Sequence, residues 1–205
     1  MTLDSSVLIA VLFAEPGYLD LIDRMLDADH VRVGTPTLVE TSLVLAGRRG
    51  RPAAGEVDGL VNAAGMTTRA SVADGTLAQF DEILALDLRA PFFLMQAFIR
   101  HRIARHAPGA IVNIQSMNGH CGTPELAIYA AAKGGLATLT RNAANAHLAD
   151  RIRVNGINMG WSPTDAEHEM QARTLGRGDG WVAAAAAGQP LGRLLDPVEV
   201  ARLAV

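Results

Sequence analysis

The stretch GAIVNIQS, residues 109–116, and the helical stretch Leu126–Leu148 that follows it decide the fold of this 205-residue chain. The alternation of side chains along residues 109–115 is typical of a β-strand, and Ser116 closes that strand. The stretch Leu126–Leu148 predicts a helix, and Arg153–Asn158 predicts the next strand. A strand, a helix and a strand in this order indicate a βαβ unit with parallel strands.

The sequence upstream repeats this alternation. Val57–Val61 is predicted to be a strand of the fully buried kind, and Asn62–Asp74 follows it as a loop. A long helical stretch covers about Leu77–Arg105, where Pro91 near the middle is expected to kink or divide the helix. This order predicts an α/β protein with a doubly wound parallel sheet, covered by helices on both faces.

The first quarter of the chain differs in composition. The stretch GRRGRPAAGE, which ends at Glu56, is rich in Gly, Arg and Pro, so we place a linker at residues 51–56. It separates a first part, residues 1–50, from a second part, residues 57–205. The first part predicts a βαβα order with a short strand at Val31–Val33. Its strands are expected to extend the sheet of the second part, which is incomplete by itself.

Length, composition and charge exclude several classes of protein. Apolar residues make up 49% of the chain, enough for one α/β domain or a domain plus a fragment. A formal net charge of −3 argues against attachment to nucleic acid by bulk charge. The single cysteine, Cys121, excludes a disulfide framework, and the six histidines show no metal-ligand spacing. No apolar run reaches the roughly 18 residues of a membrane helix. Asp4 stands where a signal peptide carries positive charge, so we expect a soluble, cytoplasmic protein.

One residue type is used only once. Of the 18 basic residues, 17 are Arg, and the only Lys is Lys133. An ammonium group is a compact point charge that fits close to a phenol or a sugar hydroxyl, where a planar guanidinium is too wide. Tyr129, one of two tyrosines, precedes Lys133 by four residues. This spacing predicts a specific task for the pair.

Three side chains are expected to meet at one edge of the sheet. In parallel sheets ligands bind beyond the carboxyl ends of the strands, which is where Ser116 lies. Tyr129 and Lys133, at i and i+4, project from one face of the next helix. As an acid/base unit, the Lys charge would lower the pKa of the Tyr phenol toward neutrality while the Ser hydroxyl holds a substrate oxygen. A surface Tyr–Lys pair beside a strand-end Ser fits the same spacing equally well.

Several segments, from Val57 onward, resemble in order the motifs of the short-chain dehydrogenase/reductase family. They are NAAG at 62–65, NIQS at 113–116, YAAAK at 129–133, RVNGIN at 153–158, and PLGR at 190–193 followed by PVEVA at 197–201. Ser116 and Tyr129 are 13 residues apart, as the family requires. The resemblance implies a Rossmann-like fold and hydride transfer between NAD or NADP and a small-molecule alcohol or carbonyl substrate.

The resemblance also implies roles for individual residues. Tyr129 would be the general acid/base, Ser116 would stabilise the carbonyl oxygen, and Lys133 would lower the Tyr pKa and bind the nicotinamide ribose. The family's fourth catalytic residue, normally Asn, is Asp87 here, whose charge would disfavour a Tyr phenolate and compete for Lys133. Besides Tyr129 and Lys133, the implied cofactor contacts are Asn62, Ala63, Gly65, Gly160 and Thr164.

The N-terminal Gly-rich segment of the family is not found in the sequence before Val57. Chains of this family open with a strand that runs into a Gly-rich turn at a helix N-terminus, where the pyrophosphate binds. The Gly-rich pieces at residues 47–55, 119–122 and 176–180 do not open a helix after the first strand. The family's last strand is missing as well. We therefore expect impaired cofactor binding.

Residues 1–50 instead resemble the start of a PIN-domain ribonuclease of the toxin–antitoxin kind. The matching segments are DSS at 4–6, EP at 15–16 and PTLVE at 36–40. In that family Asp4 and Glu15 would belong to a larger set of carboxylates that binds Mg²⁺. The other carboxylates belong to segments that this chain does not have, so we predict no metal site.

The chain is thus expected to be a chimera, whether a natural fusion, a misassembled reading frame or an engineered join. The predicted function is an NAD(P)-dependent oxidoreductase, and the alternatives are a Mg²⁺-dependent ribonuclease fragment and a non-catalytic fusion product. We expect no membrane or nucleic-acid partner. A homo-oligomer would form through the two long helices, about Leu77–Arg105 and Leu126–Leu148, as is common in the family.

Overall fold

The computed structural model describes residues 2–3, 32–33 and 58–204. The PIN-like segments that contain Asp4 and Glu15 lie outside the described residues, and so does the linker at residues 51–56. The described part therefore covers nearly all of the region that carries the dehydrogenase-like motifs.

Two separate parallel sheets are present among the described residues. In the first, β1 (Thr2–Leu3) pairs with β2 (Arg32–Val33), which confirms the short strand predicted there. In the second, β3 (Gly59–Asn62), β4 (Gly109–Ser116) and β5 (Ile152–Met159) pair in that order. Within the described residues β1 and β2 pair with each other and not with β3, so the expected extension of the second sheet is not seen.

The register of the second sheet brings several polar residues to one edge. Asn62, at the end of β3, is opposite Asn113 of β4, and Ser116, at the end of β4, is opposite Met159 of β5. The strands are parallel, so their carboxyl ends lie at the same side of the sheet, where ligands bind in such folds.

The long helix predicted over Leu77–Arg105 has three parts. Helix α1 (Leu77–Leu84) begins at a capping box, in which the Thr76 hydroxyl and the Gln79 side chain each bind the other's backbone N–H. A π-helical turn, Ala85–Arg89, follows, and α2 (Ala90–Ala104) continues from it. The sequence predicts the interruption at Pro91. The structure places it one turn earlier, at the π-helical turn, and Pro91 lies in the first turn of α2.

The remaining helices flank the other two strands. Their bounds are α3 (Asn118–Cys121), α4 (Ala127–Ala146), α5 (Asp165–His168), a π-helical turn (Glu169–Thr174), α6 (Trp181–Ala187) and α7 (Pro197–Ala204). Helix α4 confirms the prediction for Leu126–Leu148 apart from its ends. None of the helices in residues 58–204 combines the length and the apolar character needed to cross a membrane.

One face of the three-stranded sheet packs against α2 and α4. The buried core between these layers consists of Leu60, Met95, Phe98, Ile99, Ile111, Ile152 and Val154. Each such side chain contributes about 1.5–3 kcal/mol by leaving water, which fixes α4 and its side chains relative to β4. On the opposite face Arg153 and Asn155 of β5 are exposed. The sequence predicts helices on both faces of the sheet, but no described helix covers β5 at these two exposed residues.

Candidate active site

Ser116 and Tyr129 meet at the carboxyl edge of the sheet, as the sequence predicts. Ser116 is the last residue of β4, where its hydroxyl accepts a hydrogen bond from the Asn118 backbone N–H at 3.1 Å. Tyr129 lies in the first turn of α4, and the Ser116 side chain acts on its phenol, whose pKa it lowers. Both residues are buried. The strand end and the helix start thus hold two hydroxyl groups together.

Lys133 lies one turn further along α4, on the same face as Tyr129. Its ammonium group is 5.7 Å from the centroid of the Tyr129 ring and donates a hydrogen bond to the Ile114 carbonyl at 3.2 Å. Only 4% of this residue is exposed, so the only Lys of the chain is a buried charge. A buried, hydrogen-bonded Lys excludes the alternative of a surface Tyr–Lys pair.

Asp87 is the negative charge of the site and lies in the π-helical turn before α2. Its side chain is completely buried, with Oδ2 3.8 Å from Lys133 Nζ and Oδ1 accepting from the Met66 backbone N–H at 2.9 Å. Its Oδ2 has no hydrogen-bond partner among the described residues. The π-helical turn shifts the helix register here, and such turns are often found at functional sites.

The charges of the site favour a protonated phenol. Burial, followed by the charges of Asp87 and Glu167, raises the pKa of Tyr129 to about 12 against the Ser116 side chain, which lowers it. Burial also raises the pKa of Asp87 to about 6, and burial lowers the pKa of Lys133. The expected lowering of the Tyr129 pKa toward neutrality is therefore wrong for this structure. Lys133 is paired with Asp87, so the competition expected from Asp87 is confirmed.

Gly65 of the NAAG motif approaches the Lys133–Asp87 pair closely. A Cβ at this position would lie 3.1 Å from Lys133 Nζ and 3.6 Å from each carboxylate oxygen of Asp87. A side chain here would touch the Asp87 carboxylate and would need the Lys133 ammonium group to move by a few tenths of an ångström. The loop at Gly65 thus approaches the charged pair closely.

A chain of buried amides and hydroxyls lies behind the site. The Asn62 side chain donates to Asn113 Oδ1 at 2.7 Å, and Asn113 and Gln115 both donate to the Thr140 hydroxyl at 2.9 Å. Gln115 occupies the space that a side chain at Gly156 would fill. The network ties the ends of β3 and β4 to α4, and so orients the strand ends that carry the site.

The remaining predicted cofactor residues lie around this edge. Ala63 follows β3 directly and is half-buried. Gly160 follows β5, where an added Cβ would be 3.5 Å from a Leu195 methyl, and Thr164 caps α5 by accepting from the Glu167 backbone N–H at 3.3 Å. Their contacts with a cofactor stay predictions.

Two residues that the sequence does not single out complete the site, Arg69 and Glu167. Glu167 is buried, and its carboxylate accepts hydrogen bonds from the side chains of Thr67, Arg69, Trp161 and Gln171. The charge of Glu167 raises the Tyr129 pKa and that of Arg69 lowers it. The two are 98 residues apart in sequence, and only the Thr164-x-x-Glu167 spacing marks Glu167, as a helix start.

Residues 58–204 contain no group of three His, Cys, Asp or Glu side chains that could hold a metal ion. His120 and Cys121, adjacent in α3, point to different partners. The His120 ring contacts Asn158 Oδ1 at 3.1 Å, and the Cys121 thiol donates to the Met117 carbonyl at 3.2 Å. The two side chains do not form a Cys–His nucleophile.

A parallel sheet with Ser, Tyr and Lys at its carboxyl edge defines a Rossmann-like α/β protein. The sequence model of the family described as "Enoyl-(Acyl carrier protein) reductase" matches residues 48–205. The chain belongs to the short-chain dehydrogenase/reductase family.

Two similar proteins illustrate how far the likeness extends. The chain is 34% identical over 185 residues to cis-4-hydroxycyclohexanecarboxylate dehydrogenase of Sinomonas cyclohexanicum, covering 89% of this chain and 71% of the relative. It is 37% identical over 110 residues to 2-dehydro-3-deoxy-D-gluconate 5-dehydrogenase of Formosa agariphila, covering 54% of this chain but 41% of that protein. The Sinomonas match is long enough to extend into residues 1–50, which the sequence assigns to a PIN-like fragment. That assignment is not supported by any of these matches.

Solved structures show the same relation. A gluconate 5-dehydrogenase from Burkholderia cenocepacia in complex with NADP and tartrate superposes with a TM-score of 0.64 at 29% identity, covering 73% of this chain and 56% of that one. NAD⁺-bound xylitol dehydrogenase gives a TM-score of 0.65 at 28% identity, with 73% and 61% covered. The chain thus spans less than two thirds of these structures, and of several of the relatives that it matches.

Proposed function

We propose that this chain is an NAD(P)-dependent oxidoreductase that interconverts an alcohol and a carbonyl compound. The observation that carries the proposal is the buried cluster of Ser116, Tyr129 and Lys133 at the carboxyl edge of the parallel sheet. The Ser116 side chain lowers the pKa of the Tyr129 phenol, and the Lys133 ammonium group lies 5.7 Å from the centroid of the Tyr129 ring. Two hydroxyl groups and an ammonium group in this arrangement can hold a carbonyl oxygen and deliver a proton to it.

Tyr129 would transfer one proton in each direction of the reaction. In reduction Tyr129 donates its proton to the carbonyl oxygen while the carbonyl carbon receives a hydride. In oxidation the phenolate takes the alcohol proton and the carbon gives up the hydride. Since the pKa of Tyr129 is raised to about 12, the phenol is protonated at neutral pH, the state in which it can donate a proton in reduction. Ser116 holds the substrate oxygen next to the phenol.

The residues at this edge fit a nicotinamide cofactor. A bound NAD(H) or NADP(H) supplies or accepts the hydride. Gly65 leaves open space where a Cβ would press on Lys133, and Asn62 Oδ1 is buried without a partner among the described residues. Lys133 would bind the ribose hydroxyls, and the Asn62–Gly65 loop with Gly160 and Thr164 would line the cofactor. Structures of relatives hold NADP or NAD⁺, and both cofactors fit this reasoning.

The chain is expected to bind this cofactor more weakly than its relatives do. The sequence of residues 1–56 does not show the family's Gly-rich motif after its first predicted strand. Each charge-assisted hydrogen bond lost at the pyrophosphate is worth about 1.5–3 kcal/mol, so the loss of two would weaken binding by orders of magnitude. The alternative ribonuclease function rests on Asp4 and Glu15, which lie outside the described residues.

The substrate would be a small alcohol or its carbonyl counterpart. Names of relatives include dehydrogenases of 4-hydroxycyclohexanecarboxylate and of gluconate, both of which are hydroxy acids. We therefore propose hydroxy acids as the first compounds to assay, with 4-hydroxycyclohexanecarboxylate, D-gluconate and neutral cyclohexanol as the starting panel. The corresponding keto compounds test the reducing direction.

The test is reduction of these keto compounds with millimolar NADH or NADPH. Tyr129→Phe should lower the rate by about 10²- to 10⁴-fold, because it removes the proton donor but keeps the ring. Thr138→Val is the matched control, since it removes an exposed hydroxyl from the same helix. Equal rates in Tyr129→Phe and the parent chain would overturn the proposal.

Cofactor affinity is measured separately by thermal-shift titration. A ligand at about 100 times its Kd adds about 2.7 kcal/mol to the stability, so the shift at millimolar cofactor is a measure of affinity. We expect a small or undetectable shift. A large shift at micromolar cofactor would contradict the weak binding and leave the oxidoreductase assignment in place.

We also propose that a second copy of the chain packs on the two long helices. A groove between them is lined by Ala78, Asp81, Glu82, Leu84, Ala85, Leu88, Arg89, Phe92 and Leu139. Phe80 and Phe92 are 45% and 40% exposed beside it. Because the groove carries acidic and basic side chains around an apolar centre, the same surface on a second copy is a complementary partner. Sedimentation velocity that detects only monomer would overturn this proposal.

A further inference from the structure

Arg69 is held beside the catalytic Tyr129 by backbone hydrogen bonds. The next residue, Ala70, donates its N–H to the Glu125 carbonyl at 2.8 Å and accepts from the Ala127 N–H at 3.0 Å. These two bonds join the loop after β3 to the first turn of α4, which carries Tyr129. The backbone of residues 69–70 is thereby fixed against the start of α4, next to the turn that carries Tyr129, and the Arg69 charge also lowers the Tyr129 pKa.

The guanidinium of Arg69 has N–H donors that are not used in hydrogen bonds to the described residues. It donates from Nη1 to the Thr67 carbonyl at 2.6 Å and from Nη2 to Glu167 Oε1 at 3.2 Å. A guanidinium has five N–H donors, so three remain that make no hydrogen bond to the described residues. The side chain is 21% exposed and therefore accessible from solvent. These are the properties of a side chain that can accept a planar anion.

Glu167 does not depend on Arg69 for its hydrogen bonds. Its carboxylate also accepts from Gln171 at 2.6 Å, from Trp161 at 3.0 Å and from the Thr67 hydroxyl at 3.0 Å. All three of these donors are neutral, and all three contacts are shorter than the contact with Arg69. The Arg69–Glu167 contact is a single hydrogen bond and not a bidentate pair. Arg69 can therefore turn its unused donors toward another anion while Glu167 stays satisfied.

We propose that Arg69 binds a carboxylate of the substrate, and so selects hydroxy acids or keto acids at this site. The inference rests on the proposed function, because it names the substrate class of the same site. Arg69 and Tyr129 lie on segments that are joined by hydrogen bonds, so one substrate can place its carboxylate on Arg69 and its reacting oxygen on Tyr129 and Ser116. The charge of Glu167 opposes this binding moderately and sets its strength.

Binding of a carboxylate is measured first without any turnover. The probe is cyclohexanecarboxylate, which has no hydroxyl to oxidise, with cyclohexanecarboxamide as the neutral control, titrated calorimetrically into the full chain. Arg69→Gln should weaken carboxylate binding by about 10- to 100-fold, the size of a charge-assisted bidentate contact. Arg141→Gln, which removes an exposed positive charge from α4, should leave it unchanged. Equal affinities for the acid and the amide in the parent chain would overturn the proposal.

A second variant separates recognition from structure. Glu167→Gln keeps a side chain of the same shape but removes the competing charge, so it should strengthen carboxylate binding several-fold. If Arg69 served only to hold Glu167 in place, Arg69→Gln and Glu167→Gln would both weaken binding, and that result would overturn the proposal. The opposite direction of the two changes supports it.

Measurements of cofactor binding distinguish a substrate carboxylate from a cofactor phosphate as the anion that Arg69 binds. If Arg69 bound a phosphate of the dinucleotide, Arg69→Gln would weaken NADP(H) or NAD(H) binding and leave carboxylate binding intact, which would overturn the proposal. In turnover assays Arg69→Gln should raise KM for 4-hydroxycyclohexanecarboxylate by about 10- to 100-fold with a smaller effect on kcat. The methyl ester of the same compound should show no such rise. The calorimetric arm remains valid when no turnover is seen, so its failure is distinct from failure of the proposed function.

Discussion

Two buried carboxylates near the same phenol are held in opposite ways. Asp87 is completely buried, accepts one backbone hydrogen bond, and faces Lys133 at 3.8 Å with Oδ2 otherwise unpartnered among the described residues. Glu167 is 7% exposed and accepts hydrogen bonds from four side chains. Burial is thus nearly equal, and the number of donors is what differs.

The different numbers of hydrogen-bond donors show which of the two buried carboxylates is the more unfavourable charge. A buried carboxylate with few donors is expensive, and buried polar groups are otherwise almost always paired. Asp87 is this unfavourable carboxylate. It lies directly beside Lys133 and Gly65, and its charge raises the pKa of Tyr129. Glu167 is stabilised by its four donors, and it joins the loop after β3 to the segment that begins at Trp161. Asp87 therefore influences the pKa of Tyr129, whereas Glu167 holds two segments of the chain together.

The largest effect is expected from removal of the Lys that balances Asp87. Lys133→Met leaves Asp87 as an unpaired buried charge, so the free energy of unfolding at pH 8 should fall by about 3–5 kcal/mol. At pH 5 the loss should be smaller, because Asp87, whose pKa is about 6, is then mostly protonated. Chemical denaturation at the two pH values measures both quantities.

The control is the double variant Asp87→Leu/Lys133→Met, which has no buried charge. Its stability should return to within about 1 kcal/mol of the parent chain, because a buried ion pair replaced by apolar residues of similar size is often neutral. If the double variant were as unstable as Lys133→Met, lost packing and not the unpaired charge would be the cause. The contrast between the two carboxylates would then lose its basis.

A smaller effect is expected in the pH dependence of stability. The pKa of Asp87 is raised to about 6 in the folded chain from 3.8, so between these values the folded state binds more protons than the unfolded state. The free energy of unfolding should therefore fall as pH rises from about 4 to about 6, by at most about 3 kcal/mol. Asp87→Asn should not show this fall.

The measured quantity is the difference in the free energy of unfolding between the parent chain and Asp87→Asn at each pH. Other groups titrate in the same interval, but they are common to both chains and cancel. The lowered pKa of Lys133 contributes a constant offset and no slope, provided that it stays above the interval. Parallel stability curves from pH 4 to pH 6 would show that Asp87 is ionised throughout. The same variant should shift the alkaline limb of the activity profile to lower pH, because Asp87 raises the pKa of Tyr129.

The strands and helices around the site could be predicted because their signals are local. The strand at residues 109–116 and the helix that carries Tyr129 agree with the structure to within two residues at each end. The meeting of Ser116, Tyr129 and Lys133 follows from the parallel topology and the i, i+4 spacing, and it is confirmed. Their catalytic roles stay predictions.

The energetics of the site could not be predicted in the same way. The sequence suggests that Lys133 lowers the Tyr129 pKa, but the sign depends on burial and on the distance between Lys133 and Asp87, which only three-dimensional packing sets. The position of the helix interruption was missed because a π-helical turn has no sequence signal comparable to proline. Arg69 and Glu167 were missed because their contact joins segments 98 residues apart.

The smallest effect on stability is expected at the carboxylate with many donors. Glu167→Ala removes the acceptor for Thr67, Trp161 and Gln171. Thr67 and Trp161 are half-buried, so water can replace their lost partner, whereas the buried Gln171 amide loses one hydrogen bond. The free energy of unfolding should fall by about 1–2 kcal/mol, less than for Lys133→Met. Amide hydrogen exchange should rise in residues 161–175 and stay unchanged in β4 and α4, because local opening of this segment leaves the core intact. Faster exchange throughout the sheet would mean that Glu167 supports the whole fold. In that case the two carboxylates would differ in donors but not in function.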